Sequence, residues 1–144
     1  MKNVRDLLLE KGGQVHTVSP DATVYEALQL MADRNIGALV VCDGKDMKGL
    51  FSERDYARKI VLKGKLSKEI RVREIMTTEI IHVTPDQDIE TCMELMSHHH
   101  IRHLPVLEQG RLSGLVSIGD VVKAIIEHKE EIIEQLESYI KGKR

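Results

Sequence analysis

Apolar residues recur along this chain in the same order twice. A helical rhythm places Val24, Ala27, Leu28 and Met31 at i, i+3, i+4 and i+7, and returns with Ile89, Cys92, Met93 and Met96. That spacing gathers four apolar side chains on one helix face. A turn precedes each helix, SPDAT at 19–23 and TPDQD at 84–88, where Pro followed by Asp favours a helix start. A buried-strand pattern follows, IGALVVCD at 36–43 and IRHLPVLE at 101–108. Then come a turn and a second strand, which contains GLFS at 49–52 or GLVS at 114–117. Short strands are expected at 15–18 and 80–83, and a closing helix near Ser52 or Ser117. Each unit therefore reads β-α-β-β-α.

The two units are copies. Residues 18–60 align with 83–125 at a constant offset of 65 without gaps, and thirteen of the 43 pairs are identical. A leader recurs as well, VRDLL at 4–8 and VREIM at 72–76, at an offset of 68 because three extra residues lie around Gly12 and Gly13 in the first copy. One such unit is too small to cover both faces of a three-stranded sheet, whereas two packed together can. The expectation is an α/β (α+β) fold of two β-α-β-β-α repeats with pseudo-twofold symmetry. The first repeat is placed at 1–65, the second at 66–127, and a helical tail at 128–144. The closing helix runs from Asp120 to about residue 140, and Ile125, Ile132 or Ile133, Leu136 and Ile140 extend its apolar stripe past the repeat. That stripe marks either a homodimer contact or a helix folded back on its own core.

Composition changes this picture little. Hydrophobic residues make up 42% and charged residues 31%, as in ordinary soluble domains. Aromatics are only 3%, without tryptophan, so the core is aliphatic and base-stacking platforms for nucleic acid are not expected. The net charge of −2 gives no global attraction to nucleic acid or to an anionic membrane. Residues 53–73 are locally basic, with eight basic and three acidic side chains, which reads as a solvated face or an anion-facing rim. Cys42 and Cys92 lack metal-ligand or CxxC spacing and read as small core residues in a reducing compartment. No apolar run approaches membrane-spanning length, and the charged start MKNVRDLLLEKGG does not read as a signal peptide. A cytoplasmic location is expected.

The chemistry concentrates in G-L-x-S-x-x-D, present as Gly49-Leu50-Phe51-Ser52-Glu53-Arg54-Asp55 and as Gly114-Leu115-Val116-Ser117-Ile118-Gly119-Asp120. Ser three residues before Asp at a helix start is a capping box. The same atoms also suit a ligand. A helix N-terminus and a hydroxyl face a phosphate, and a carboxylate one turn in accepts two hydrogen bonds from a vicinal diol. The two readings can hold together. At the start of the central strand, the second copy carries Arg102 and His103 where the first carries Gly37 and Ala38. Arg54 has only Gly119 as its counterpart. The two halves are therefore not chemically equivalent toward an anion. His98, His99 and His100 read as a solvated helix end, since neither HExxH nor a cysteine ligand set is present. No nucleophile–base pair, Walker loop or G-x-G-x-x-G appears, and no catalytic residue or bound metal is expected.

The repeat order, the SPDAT and TPDQD turns, HIRHLPV and the paired G-L-x-S-x-x-D motifs resemble the CBS domain family, over about residues 2–127. The leader VREIMT and the segment FSERDYARK are similar to stand-alone tandem modules of that family. The resemblance implies two clefts between the repeats that take AMP, ADP or ATP, and in some members NAD or S-adenosylmethionine. The first cleft would join Leu50, Ser52, Arg54 and Asp55 to Ile80, Ile81, Arg102, His103 and Pro105. The isoleucines would sandwich adenine, Asp55 would hold the ribose, and Ser52, Arg102 and His103 would face phosphate. The second would join Leu115, Ser117 and Asp120 to His16, Thr17 and Ala38. On that pairing Arg54, Arg102 and His103 gather at the Asp55 cleft, and the Asp120 cleft offers a phosphate mainly its helix N-terminus. The function implied is a nucleotide-sensing regulatory homodimer acting on another polypeptide. The alternative is a ligand-independent adaptor.

Overall fold

The structure, a computed structural model, describes residues 2–12 and 14–141. In chain order its elements are α1 (Val4–Lys11), β1 (Thr17–Val18), α2 (Val24–Arg34), β2 (Ala38–Asp43), β3 (Asp46–Ser52) and α3 (Glu53–Tyr56). α3 runs on into a π-helical segment (Ala57–Val61). After it come α4 (Val72–Ile75), α5 (Ile89–His99), β4 (His103–Glu108), β5 (Arg111–Ser117) and α6 (Ile118–Ile140).

Local sequence explains each helix start. Thr23 caps α2 in a reciprocal box with Glu26, and Asp88 caps α5 by accepting from the Thr91 amide. Both helices end on a left-handed residue, Asn35 at φ 55° and His100 at φ 55°. The faces anticipated from spacing are the ones buried: Val24, Ala27 and Met31 in α2, and Ile89, Cys92 and Met96 in α5.

The hairpins match in detail. β2 pairs antiparallel with β3, and β4 with β5, each with a bulge at the same repeat position, between Val41 and Cys42 and between Val106 and Leu107. β1 adds a parallel strand to the first sheet. In the second sheet the strand expected at 80–83 contracts to Val83, bridged to Val106. The Val83 amide donates to the Pro105 carbonyl at 3.0 Å, and the Leu107 amide to the Val83 carbonyl at 2.9 Å. The next rung toward the N-terminus needs an amide from residue 105, and proline has none. The chain at Ile80 and Ile81 is thereby released from the sheet.

Two cores result, and the leaders are exchanged between them. Val4 and Leu7 of α1 pack with Val83, Ile89, Leu104 and Val116 of the second repeat. Val72 and Ile75 of α4 pack with Val24, Leu39 and Phe51 of the first. Matching backbone bonds hold both leaders: Val4 and Arg5 amides donate to Gln87 and Pro85 carbonyls at 2.8 and 2.9 Å, and Val72 and Arg73 amides to Ala22 and Pro20 carbonyls at the same distances. Arg5 pairs with Asp86, as Arg73 does with Asp21. The hairpins meet along β3 and β5. α6 leaves the core, and residues 129–140 are exposed throughout, so the tail does not fold back.

Gly49 and Gly114 mark where the leaders press on the hairpins. A Cβ at Gly49 would lie 2.8 Å from the Thr77 carbonyl oxygen and 2.8 Å from Met76 Sδ, whereas at Gly114 it would meet only the Leu8 side chain, at 2.6 Å. A side chain can rotate away, but a paired backbone cannot. Gly49→Ala is therefore expected to cost about 1–3 kcal/mol, and Gly114→Ala less. Urea unfolding of the two variants measures this, and equal losses would exclude the Thr77 backbone as the cause.

Candidate functional site

Two cavities open between the repeats, each beside one of the paired motifs. The larger, about 520 Å³, is lined by Leu50, Ser52, Glu53, Arg54 and Asp55 from the first repeat. Thr77, Glu79, Ile80, Ile81, Ile101, Arg102 and His103 line it from the second leader and repeat, and Gly37 completes the wall. One side is aliphatic, formed by Leu50, Ile80, Ile81 and Ile101. The other carries the charged and hydrogen-bonding groups.

Asp55 is the centre of that polar side and is 6% exposed. Its carboxylate completes a capping box: Oδ2 accepts from the Ser52 amide at 3.1 Å and the Ser52 hydroxyl at 3.2 Å, while the Asp55 amide donates back to Ser52 Oγ. Oδ1 accepts from Thr77 Oγ1 at 3.0 Å and pairs with Lys59 Nζ at 3.1 Å. The capping reading of S-x-x-D is thus observed, and all of the carboxylate's acceptor directions are engaged. Any further donor aimed at this carboxylate has to displace one of these partners.

Around this carboxylate the charges are mixed. Arg54 donates across the cleft to the His100 carbonyl at 3.2 Å, bridging the repeats at the end of α5. Arg102 is exposed at the cavity wall. Glu53 and Glu79 share that wall, so the lining holds carboxylates as well as guanidiniums. Residue-type spacing singled out neither glutamate nor Thr77. Glu79 is visible in hindsight as the leader position matching Lys11 at an offset of 68.

The smaller cavity, about 290 Å³, is lined by Val15, His16, Ile36, Ala38, Leu115 and Ser117, among others. Its chemistry differs from expectation. Lys11, at the end of α1, also lines it, and its ammonium lies 2.7 Å from Asp120 Oδ2 while donating to the Leu115 carbonyl at 2.8 Å. The Asp120 side therefore has a cation of its own, contrary to the reading that it offers mainly a helix N-terminus. The exchange of leaders brings Lys11 there. Asp120 otherwise repeats the Asp55 box, accepting from the Ser117 amide at 2.9 Å. Asp120 itself does not line this cavity; Lys11, which does, is bonded to it. Thr17 and Pro105 do not line either cavity; Pro105 is buried in β4 with its carbonyl bonded to Val83.

His103 and Gly37 belong to both walls. Alternation along β4 separates Arg102 from His103, yet both line the larger cavity, because Arg102 lies just before the strand begins. Burial pushes the His103 imidazole below the ordinary histidine range, aided by the Lys11 and Arg102 charges and opposed by Asp120 and Glu53. Cys42 and Cys92 are buried free thiols, and burial pushes Cys92 up to about 11, far from nucleophilic use. His98, His99 and His100 are exposed at the end of α5.

Comparison with known proteins places this architecture. The CBS domain family matches residues 4–62 and 72–127, one domain per repeat. The chain belongs to the CBS domain family. Among its CBS relatives is the mitochondrial CBS domain-containing protein CBSX3 of Arabidopsis thaliana, 41% identical, with 96% of this chain and 72% of that protein covered. A solved CBS-domain structure from Burkholderia ambifaria, provisionally assigned to signal transduction, is 48% identical with TM-score 0.84, covering 88% of this chain and 95% of that one. Inosine-5'-monophosphate dehydrogenase of Methanocaldococcus jannaschii is 32% identical over 76% of this chain but only 21% of the enzyme, so the CBS pair there is one part of a catalytic protein. The chain is thus a tandem CBS module related to regulatory and signal-transduction proteins. Among the described residues, no helix is long and apolar enough to cross a membrane.

Two measurements test this geometry. Asp55→Ala strands the Ser52 and Thr77 donors, so it is expected to lower stability by about 1–3 kcal/mol without any ligand present. An unchanged denaturation midpoint would show that the box contributes nothing. The second is a pH profile. His103 titrates lower when folded than its unfolded value near 6.5, so between the two values the unfolded chain binds more protons. The stability gained from a neutral His103 is present above the unfolded value near 6.5 and is lost as pH falls from there through the lower folded value. His103→Gln should flatten the fall in urea midpoint between about pH 7 and 5.5. An unaltered slope would show that His103 is not the titrating group.

Proposed function

We propose that this CBS module is an adenine-nucleotide sensor that binds its ligand in the Asp55 cleft and does no chemistry on it. The observation that carries this reading is the larger cavity itself. At about 520 Å³ it falls within the roughly 300–1,000 Å³ of small-molecule sites. Its walls combine an apolar slot with a polar floor, as an adenosine compound requires. The base fits between Ile80, Ile81 and Leu50. A ribose hydroxyl donates to Asp55 Oδ1 in place of Thr77, a neutral exchange of one hydroxyl for another. Phosphate then meets Arg102, His103 and the start of α3, where Ser52 caps the helix.

Glu53 and Glu79 on the same wall oppose a long polyphosphate. AMP is therefore ranked above ATP, with NAD and S-adenosylmethionine as the other adenosine ligands to compare.

The exposed apolar residues of α6, Ile126, Ile132, Ile133, Leu136 and Ile140, support a homodimer through the tail. The ligand would then alter the relation of two modules that act on a separate polypeptide. The same surface supports the second reading, an adaptor that assembles without ligand. Buried free thiols fit a reducing compartment such as the cytoplasm.

Thermal shift with AMP, ATP, NAD and S-adenosylmethionine separates sensor from adaptor. A ligand at a hundred times its Kd adds about 2.7 kcal/mol, whereas an adaptor shows no shift with any of the four. Arg102→Ala should weaken AMP by roughly 1.5–3 kcal/mol while leaving adenosine nearly unaffected, as read by calorimetry. Equal losses for both ligands would remove Arg102 from the phosphate. A monomer by ultracentrifugation at tens of micromolar would refute the dimer.

A further inference from the structure

The two clefts are built from one repeated plan, yet their carboxylates are satisfied by different chemistry. At the first, α4 stops at Ile75 and the chain extends, so that Thr77 and Leu50 exchange backbone hydrogen bonds at 2.9 Å in both directions. The Thr77 hydroxyl then reaches Asp55. At the second, α1 continues in helical form to Lys11. One ammonium there meets both equivalent groups: the Leu115 carbonyl at 2.8 Å, equivalent to Leu50, and the Asp120 carboxylate at 2.7 Å, equivalent to Asp55 but met on Oδ2, the oxygen that also accepts from the Ser117 amide.

The consequence for a ligand is unequal. Replacing the Thr77 hydroxyl by a ribose hydroxyl leaves the charge at Asp55 unchanged, with Lys59 still beside it. Replacing Lys11 removes the counter-ion from Asp120, which keeps only its box contacts to Ser117. Charge-assisted hydrogen bonds are about twice as strong as neutral ones, and a ribose offers only neutral donors in exchange. Burial pushes the Asp120 carboxyl up, but Lys11 and the Ser117 contacts outweigh it and hold the group below its ordinary range. Space runs the same way, since the second cavity is about 290 Å³ with Lys11 in its wall.

We propose that Lys11 is a resident occupant of the second cleft, which keeps Asp120 from accepting a ribose and limits the module to one nucleotide per chain. This rests on the nucleotide reading of the Asp55 cleft, and it makes the leader helix α1 the element that sets occupancy. Lys11 here is a specificity residue. It stands in for ligand on the carboxylate.

Calorimetry and amide NMR with AMP and adenosine, on the full chain and on Lys11→Met, test this. Methionine keeps much of the apolar stem and removes the charge; Lys11→Ala, with a shorter stem, guards against the thioether filling the cavity. The original chain is expected to bind one ligand, with shifts at Thr77 and Ile81. The variants are expected to gain a second site with shifts at His16 and Ser117, adenosine affinity there rising roughly ten- to a hundredfold, the range a charged hydrogen bond spans. Ligand in both clefts of the original chain overturns the proposal, as does failure of both variants to gain a site. AMP bound at His16 and Ser117 in the original chain and lost from the variants would make Lys11 a phosphate ligand instead, which also overturns it. If the original chain binds nothing and a variant gains the second site, the nucleotide reading of the Asp55 cleft fails while the role of Lys11 stands.

Discussion

A hairpin covered by two helices is too small to close a core, and in this chain each hairpin is completed by a leader that belongs, in sequence, to the other repeat. Val4 and Leu7 enter the second core, Val72 and Ile75 the first, and each leader is held by the same pair of backbone hydrogen bonds to the turn before α5 or α2. The glycine before each motif leucine exists for this contact: a side chain at Gly49 or Gly114 would collide with the leader that crosses it. Salt bridges such as Arg5–Asp86 sit on the exposed rim and add little to what the apolar contacts hold.

That exchange also creates the clefts. Each is bounded by a capping motif and by the segment that follows a leader, so the lining comes from stretches remote in sequence. It explains the asymmetry as well. The leaders diverge immediately after the part that packs. One ends after a turn and pairs as an extended chain through Thr77, and the other stays helical to Lys11. Pseudo-symmetry is strict where burial demands it and relaxes at the cleft, where side chains meet water and charge.

Asp55 and Asp120 carry two roles on one set of atoms. Each stops a helix from fraying by receiving the amide of its cap serine, and each also meets a donor from elsewhere in the fold: Thr77 on the second oxygen of Asp55, and Lys11 on the same oxygen of Asp120 that takes the Ser117 amide. A carboxylate so anchored is oriented in advance of any ligand, which lowers the ordering cost of binding. The same anchoring means that a ligand must compete with a resident donor, and the strength of that donor differs between a threonine hydroxyl and a lysine ammonium.

Local spacing determined the helices, their buried faces, the four capped starts before α2, α3, α5 and α6, and the two hairpins, because those features rest on contacts within about one helical turn or across a short turn. The duplication, added to the CBS resemblance, also placed Leu50, Ser52, Asp55, Ile80, Ile81, Arg102 and His103 around one cavity. Other features depended on which distant segments meet. Pro105 was readable as a missing amide, but the loss of the strand at 80–83 required knowing which rung it would have supplied. Lys11 and Asp120 stand 109 residues apart, and Arg54 reaches a carbonyl 46 residues away. Thr77, Glu53 and Glu79 looked like ordinary polar positions until the fold turned them toward a shared wall. Periodicity records which face of an element is buried, but not which element covers it. The partner of Asp120 is set by the tertiary packing of α1 on the second repeat, and only the folded chain brings those charges within hydrogen-bonding distance.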